Sequence, residues 1–378
     1  MKHAKLFTPG PTAVPTEVLE AQSRPLIHHR TRAFHDAHLE VIAGLQYAMR
    51  TQHAVVVLTA SGTGAMEATV TNLTAPGEKV VVTEVGKFSE RWSEIARAYG
   101  VEVVAVEAPW GESVPPEAVA RAFDAHPDAK ALFTTHSETS TGALQDVAAQ
   151  SRVAKERGAL VAVDAITSVC AHDVETDAWG LDAVVGGSQK GVMVPPGLAY
   201  LALSPAAQSR MEAPRHSVYY FDLRAAVKAA ATGDSPYTPA ITLVLALQRA
   251  LQMIRAEGIE RVIARHAANA AAVRAAVRAL GLELVAKVPS NATTAVYAPE
   301  GSAPEITRRM ERDHGVIIAG GQGRLKDRIV RLGHLGYYDR GDMTTMITAL
   351  EAVLLELGLV ERLGAGVAAL DGAYAGGA

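Results

Sequence analysis

The sequence predicts an α/β protein with a large domain on a mainly parallel seven-stranded sheet and a smaller α+β carboxy-terminal domain. Two patterns carry this expectation. From residue 54 on, short β-branched runs alternate with longer helical segments, and most of those segments are stopped by glycine, the pattern of strands joined by covering helices. The chain, at 378 residues, also exceeds what one hydrophobic core usually serves, so two domains are expected.

The elements follow in order. Residues 1–20 read as an amino-terminal arm and 21–258 as the large domain. Within it, residues 55–58, 80–83, 101–104, 131–134, 160–163 and 183–185 are mostly apolar, interrupted only by Thr83, Glu102 and Thr134, which suits strands covered on both faces. Residues 90–99, 116–125 and 145–157 have helical length between them, and 197–203 supply a seventh strand. From 242 to 280 a run rich in Ala, Leu, Arg and Glu reads as two helices broken near Gly258. The small domain, 259–363, takes its strands from 294–297, 316–318 and 329–332, and the Gly- and Ala-dominated segment 364–378 reads as a frayed, dispensable tail.

Composition limits the partners. With 36 basic and 40 acidic residues the formal charge is −4, too weak a field to argue for nucleic acid or an anionic membrane. Small molecules are the expected partners. The single Cys170 excludes an intramolecular disulfide and reads as a small buried residue in a reducing compartment. The first nine residues lack the apolar core of a signal peptide, and no stretch approaches a membrane span of about 20 apolar residues, so a cytoplasmic protein is expected. His28, His29, His35 and His38 cluster without thiolates or an acidic ligand triad, and no metal is expected there.

Chemistry concentrates at strand ends. Asp164 closes the run Leu160-Val161-Ala162-Val163, and Lys190 lies in the loop after Gly186-Gly187-Ser188-Gln189. A carboxylate that can pair with a pyridinium nitrogen and an amine that can bond covalently are the two groups that a pyridoxal phosphate enzyme needs most. Ser61-Gly62-Thr63-Gly64 follows a strand and opens a helix, so amides, a hydroxyl and the positive helix end converge where a phosphate can sit. A dinucleotide fingerprint is the rival for this turn, but its third glycine position holds Glu67, which spoils close packing of helix on strand. Arg331, flanked by apolar residues and Gly333, offers a planar fork for a carboxylate.

These stretches, with Phe7-Thr8-Pro9-Gly10-Pro11, His136-Ser137-Glu138-Thr139-Ser140-Thr141-Gly142 and Val330-Arg331-Leu332-Gly333-His334-Leu335-Gly336, occur in the order in which the class V aminotransferases carry them. The chain resembles that family, in particular its alanine–glyoxylate and serine–pyruvate group, from Phe7 to about Leu357. The resemblance implies a fold-type I homodimer with pyridoxal phosphate held as a Schiff base on Lys190 and its ring nitrogen paired with Asp164. It also implies phosphate or ring contacts from Ser61, Gly62, Thr63 and Gln189, stacking by Phe88, and a hydrogen bond from Thr139. Thr238 and the less certainly aligned Tyr237 belong to a loop that reaches the neighbouring protomer's phosphate. Gly10 approaches the substrate, and Arg331 grips its α-carboxylate.

The implied reaction is ping-pong transamination between alanine or serine and glyoxylate or pyruvate. No second basic residue in a carboxylate-binding setting is evident in the sequence, unless His28, Arg30 or Arg32 reaches the pocket, so a small uncharged donor is expected. Alternatives are an aminoethylphosphonate–pyruvate type of enzyme or another class V activity. Outside the class they are a nicotinamide-dependent dehydrogenase or a non-catalytic binding subunit of the same fold. Desulfuration lacks a suitable thiol, since Cys170 follows Asp164 by six residues.

Overall fold

Apolar strands that alternate their side chains between two cores build the centre of the molecule. The structure, a computed structural model, describes residues 4–213 and 216–376. Seven strands form one sheet: β1 (Ala54–Leu58), β2 (Lys79–Glu84), β3 (Glu102–Glu107), β4 (Ala131–Thr135), β5 (Leu160–Asp164), β6 (Ala183–Gly187) and β7 (Ala199–Leu203). Their order is β1-β7-β6-β5-β4-β2-β3, and β7 alone runs against its neighbours β1 and β6.

Val81 of β2 faces one core with Leu132 and Val161, while Val80 and Val82 face the other with Phe133 and Ala162. Burial on both faces explains why these strands read as continuous apolar runs. The edge strand β3 is half exposed and bears Glu102 and Glu107 at its ends, charges that discourage pairing with another sheet edge.

The helices on the sheet include α1 (Gly62–Leu73) and α2 (Lys87–Ala98), which follow β1 and β2. The expected helix pair is present as α3 (Ile241–Glu257) and α4 (Ile259–Ala279). Gly258 breaks them with φ +89, a backbone state that glycine adopts without steric cost.

The carboxy-terminal part carries an antiparallel sheet of β8 (Thr293–Tyr297), β9 (Ala319–Gly320) and β10 (Ile329–Gly333), in the order β8-β10-β9. The strand expected over 316–318 is shorter, Val316–Ile317, and lies outside this sheet. It pairs in parallel with Lys5–Leu6 of the amino-terminal arm. A two-residue pairing between distant segments leaves no periodicity in the sequence.

The terminal segment differs most from expectation. Instead of fraying, it forms α6 (Ala365–Gly376), after α5 (Arg340–Glu356). Leu370 is fully buried, Tyr374 Oη donates to Asn269 Oδ1 at 2.6 Å, and the Glu351 carboxylate accepts the amides of Gly364 and Gly366 at the helix start. Alanine is the best helix former, and here tertiary contacts use that propensity. No helix among the described residues is long and apolar enough to cross a membrane.

Leu370→Ala is expected to lower the unfolding free energy by about 2–4 kcal/mol, the cost of a cavity at a buried leucine. The urea midpoint should fall at unchanged slope; an unmoved midpoint would return the segment to a dispensable tail.

Candidate active site

In a sheet whose strands are nearly all parallel, their carboxyl ends collect on one edge, where open α/β sheets bind ligands. Loops following β1, β2, β4, β5 and β6 meet there around a single pocket. It is lined by Ser61, Gly62, Thr63, Phe88, Thr139, Asp164, Gln189 and Lys190, eight of the residues expected from the sequence. Arg91, Ser137, Ile166 and Thr167 complete the wall.

Asp164 enters this pocket buried, and Lys190 enters it half-buried. Asp164 Oδ1 accepts the Ile166 amide at 2.9 Å, and burial pushes its carboxyl up to about 7. Burial likewise lowers the Lys190 ammonium to about 8, partly opposed by the charge of Asp164. Each prefers its neutral form more than it would in water, the condition for proton exchange near neutral pH.

The loop bearing Lys190 is fixed from both sides. Ser188 Oγ donates to Pro195 O at 2.8 Å and accepts the Leu198 amide at 3.2 Å. On the other side, the arm supplies Pro9 O to the Lys190 amine at 2.8 Å, and the Thr12 amide donates to Gln189 O at 3.2 Å. Gly10 has φ +129, and a Cβ there would collide with the Lys190 side chain. That contact explains a glycine at this position and places the arm against the amine.

At the turn after β1, Ser61 precedes α1 without making a side-chain capping bond. Its hydroxyl and the first-turn amides of Gly62 and Thr63 therefore face the pocket without helical acceptors. Phe88 and Arg91 are three residues apart on α2, hence on one face. The Arg91 guanidinium stands 5.1 Å from the Phe88 ring centroid and donates to Thr63 Oγ1 at 3.1 Å. Its spacing from Phe88 is the signal by which sequence reasoning could have found Arg91.

Glu138 was also missed as a site residue. Fully buried, it caps the start of α2 by accepting the amides of Phe88 at 3.1 Å and Ser89 at 2.8 Å. It also accepts the Ser140 hydroxyl at 2.6 Å. A carboxylate there offsets the positive helix end and fixes Phe88 against the pocket.

Arg331 lies on β10, 6% exposed, with Nε donating to Gly320 O at 2.8 Å and Nη1 to Thr139 O at 3.0 Å. Burial lowers its guanidinium to about 10. Its bond to Thr139 joins the small sheet to the pocket wall. Thr238 and Tyr237 stand apart: they line a separate groove with Thr59 and Tyr220, and Tyr237 Oη donates to Tyr219 O at 2.8 Å. Within one chain they do not line the pocket. Arg30 and Arg32 of the amino-terminal segment pair instead with Asp234 at 2.5 Å and Asp36 at 3.5 Å.

The residues present fit pyridoxal phosphate. Gln189 Oε1 is buried in the pocket without a hydrogen-bond partner. The Ser61 turn suits a phosphate, Asp164 suits a protonated ring nitrogen, and the flat Phe88 ring suits stacking. Lys190 supplies the amine.

Because the Asp164 carboxyl lies above its ordinary value of 3.8, ionising it opposes folding increasingly from there to about pH 7 and fully above. Asp164→Asn is therefore expected to raise the melting midpoint of the cofactor-free protein at pH 8 and to leave it nearly unchanged near pH 4. Destabilisation at pH 8 would contradict this reading of the carboxyl.

Comparison with known proteins agrees with the geometry. The family profile for class V aminotransferases matches residues 5–324. The small subunit of a soluble hydrogenase from Synechococcus is 44% identical over 97% of each chain. An L-aspartate–glyoxylate aminotransferase from Paracoccus denitrificans is 38% identical over 98% of this chain and 96% of that protein. A solved structure of a subgroup IV aspartate aminotransferase from Thermus thermophilus is 42% identical, with TM-score 0.87 over 93% of this chain and 99% of that one. The chain belongs to the class V aminotransferases, enzymes of the fold-type I architecture that use pyridoxal phosphate.

Proposed function

We propose that this aminotransferase passes an amino group from a small amino acid, alanine or serine, to a small 2-oxo acid, glyoxylate or pyruvate, in a ping-pong cycle. The observation that carries the reading is the meeting of a half-buried amine, Lys190, with a buried carboxyl, Asp164, in one pocket beside a phosphate-suited turn. When bound, pyridoxal phosphate supplies an aldehyde for the donor's amine and a ring that accommodates the electrons left as the α-proton departs.

The chain's residues divide the remaining work. Ser61, Gly62 and Thr63 would hold the phosphate, Phe88 would hold the ring by stacking, and Asp164 would keep the ring nitrogen protonated. Thr139 would serve the ring oxygen or the substrate, and Gln189 the ring oxygen or the phosphate. Lys190 tethers the cofactor at rest. Its amine, lowered by burial to about 8, is partly neutral at neutral pH and would take the α-proton of the donor as a base. Arg331 grips the α-carboxylate with the N–H groups not used by Gly320 and Thr139, fixing which face of the donor meets Lys190.

A second reading, a small dicarboxylic donor, is favoured by further arginines at and beside the pocket, Arg91 and Arg324. The expected uncharged donor rests on Arg331 being the one arginine at the site, and Arg91 lines the pocket as well.

The proposed assembly is a homodimer in which Thr238 of one protomer serves its neighbour's phosphate site. The placement of Thr238 outside its own pocket supports this. Thr238→Ala is expected to raise the cofactor dissociation constant about tenfold, the scale of one lost charge-assisted hydrogen bond, measured by titrating cofactor into the stripped enzyme. An unchanged constant would count against the cross-subunit role.

Single-turnover mixing tests the chemistry. Alanine and serine should change the absorption spectrum of the bound cofactor and release a 2-oxo acid, and Arg331→Lys should slow both, because a point ammonium cannot reproduce the planar fork. Lack of any spectral change with every amino acid would refute transamination.

A further inference from the structure

A second cleft lies beside the pocket, between α2 and the loop joining β9 to β10, with a cavity of about 480 Å³. Arg91 lines both spaces and is the residue they share. The far wall is Gln322, Gly323 and Arg324, facing Trp110. We infer that Arg324, positioned by Trp110, binds the distal carboxylate of a small dicarboxylic amino donor of aspartate-like length, while Arg331 binds its α-carboxylate. This deepens the second donor reading above and rests on the proposed aminotransferase activity.

Charge bookkeeping singles out Arg324. Among the described residues no ion pair joins a carboxylate to Arg91, Arg324 or Arg331, which meet Thr63 Oγ1, the Trp110 ring and backbone carbonyls instead, whereas Lys87 at the same cleft is held by Glu94 at 2.7 Å and Glu90 at 3.7 Å. Arg331 is assigned to the α-carboxylate. Arg91 donates to Thr63 in the phosphate turn, so its charge faces the phosphate dianion. Arg324 is the cation left for the substrate.

Its setting is built. The guanidinium carbon of Arg324 lies 5.7 Å from the Trp110 ring centroid, and stacking on an aromatic face leaves the N–H edge free for a planar partner. Gly323, at φ +50, lets the loop close on the indole, which a Cβ there would strike. Beside it, Gln322 Oε1 is buried without a partner, an amide that needs something in the cleft to satisfy it. Gly320, just before this loop, accepts Arg331 Nε at 2.8 Å, so the α-carboxylate reader and Arg324 are mechanically joined.

Two measurements on the holoenzyme test this. In half-reactions with aspartate and alanine, Arg324→Gln should lower the ratio of their kcat/KM values, aspartate over alanine, about 10- to 100-fold, the span of one charged hydrogen bond. Trp110→Ala should lower it in the same direction by freeing the guanidinium. By calorimetry, succinate should bind the unmutated holoenzyme more tightly than propionate and lose that advantage in Arg324→Gln. An unmoved ratio, or succinate bound no better than propionate, overturns the assignment. If alanine reacts and the ratio is unmoved, Arg324 is wrong and the aminotransferase reading stands. If no amino acid reacts, that reading fails, and the succinate comparison still judges Arg324.

Discussion

Everything at the site depends on holding a carboxyl and an amine of opposite ordinary charge out of water at the same sheet edge. Asp164 and Lys190 each bear the cost of burial, which moves their proton affinities to about 7 and about 8. Their mutual attraction only partly offsets that cost. A fold keeps such a pair when the surrounding contacts over-determine it, and the backbone bonds to Asp164 and Lys190 do so. A ligand presenting a protonated ring nitrogen to the carboxyl and an aldehyde to the amine would relieve both costs together, which ties stability to cofactor binding.

The same economy links the two domains. The amino-terminal arm pairs with Val316–Ile317, receives the Gly333 amide at Phe7 O, and then lays Pro9 and Gly10 against Lys190. Arg331 crosses to Thr139. Arg331 and Lys190 are thus held by one continuous set of contacts to the backbone. Motion of the small sheet would be felt at Lys190, with no separate signalling device needed.

Much of this was legible in the sequence because it is local. Apolar runs marked all seven strands of the large sheet, and the expected pocket residues sat at the end of such a run or in the segment after it, Phe88 in the first turn of the following helix. What stayed hidden was non-local or compositional. Glu138 shows its role only when β4 and α2 are side by side, since it caps a helix about fifty residues earlier in the chain. The short pairing of the arm carries no period. Residues 365–376 look like low-complexity tail because their fixing partners, Glu351 and Asn269, belong to other helices. The nicotinamide alternative weakens on the same structural terms, as the glycine-rich turn meets Asp164 and Lys190 and not an acidic residue placed for a ribose.

The central claim is that Lys190 is the amine that bonds the cofactor, and the most direct measurement is chemical. Reduce the cofactor-loaded protein with borohydride, digest it, and locate the pyridoxyl-modified peptide by mass spectrometry. The account predicts a single modified residue, Lys190. Modification at any other lysine, with Lys190 unmodified, would contradict it.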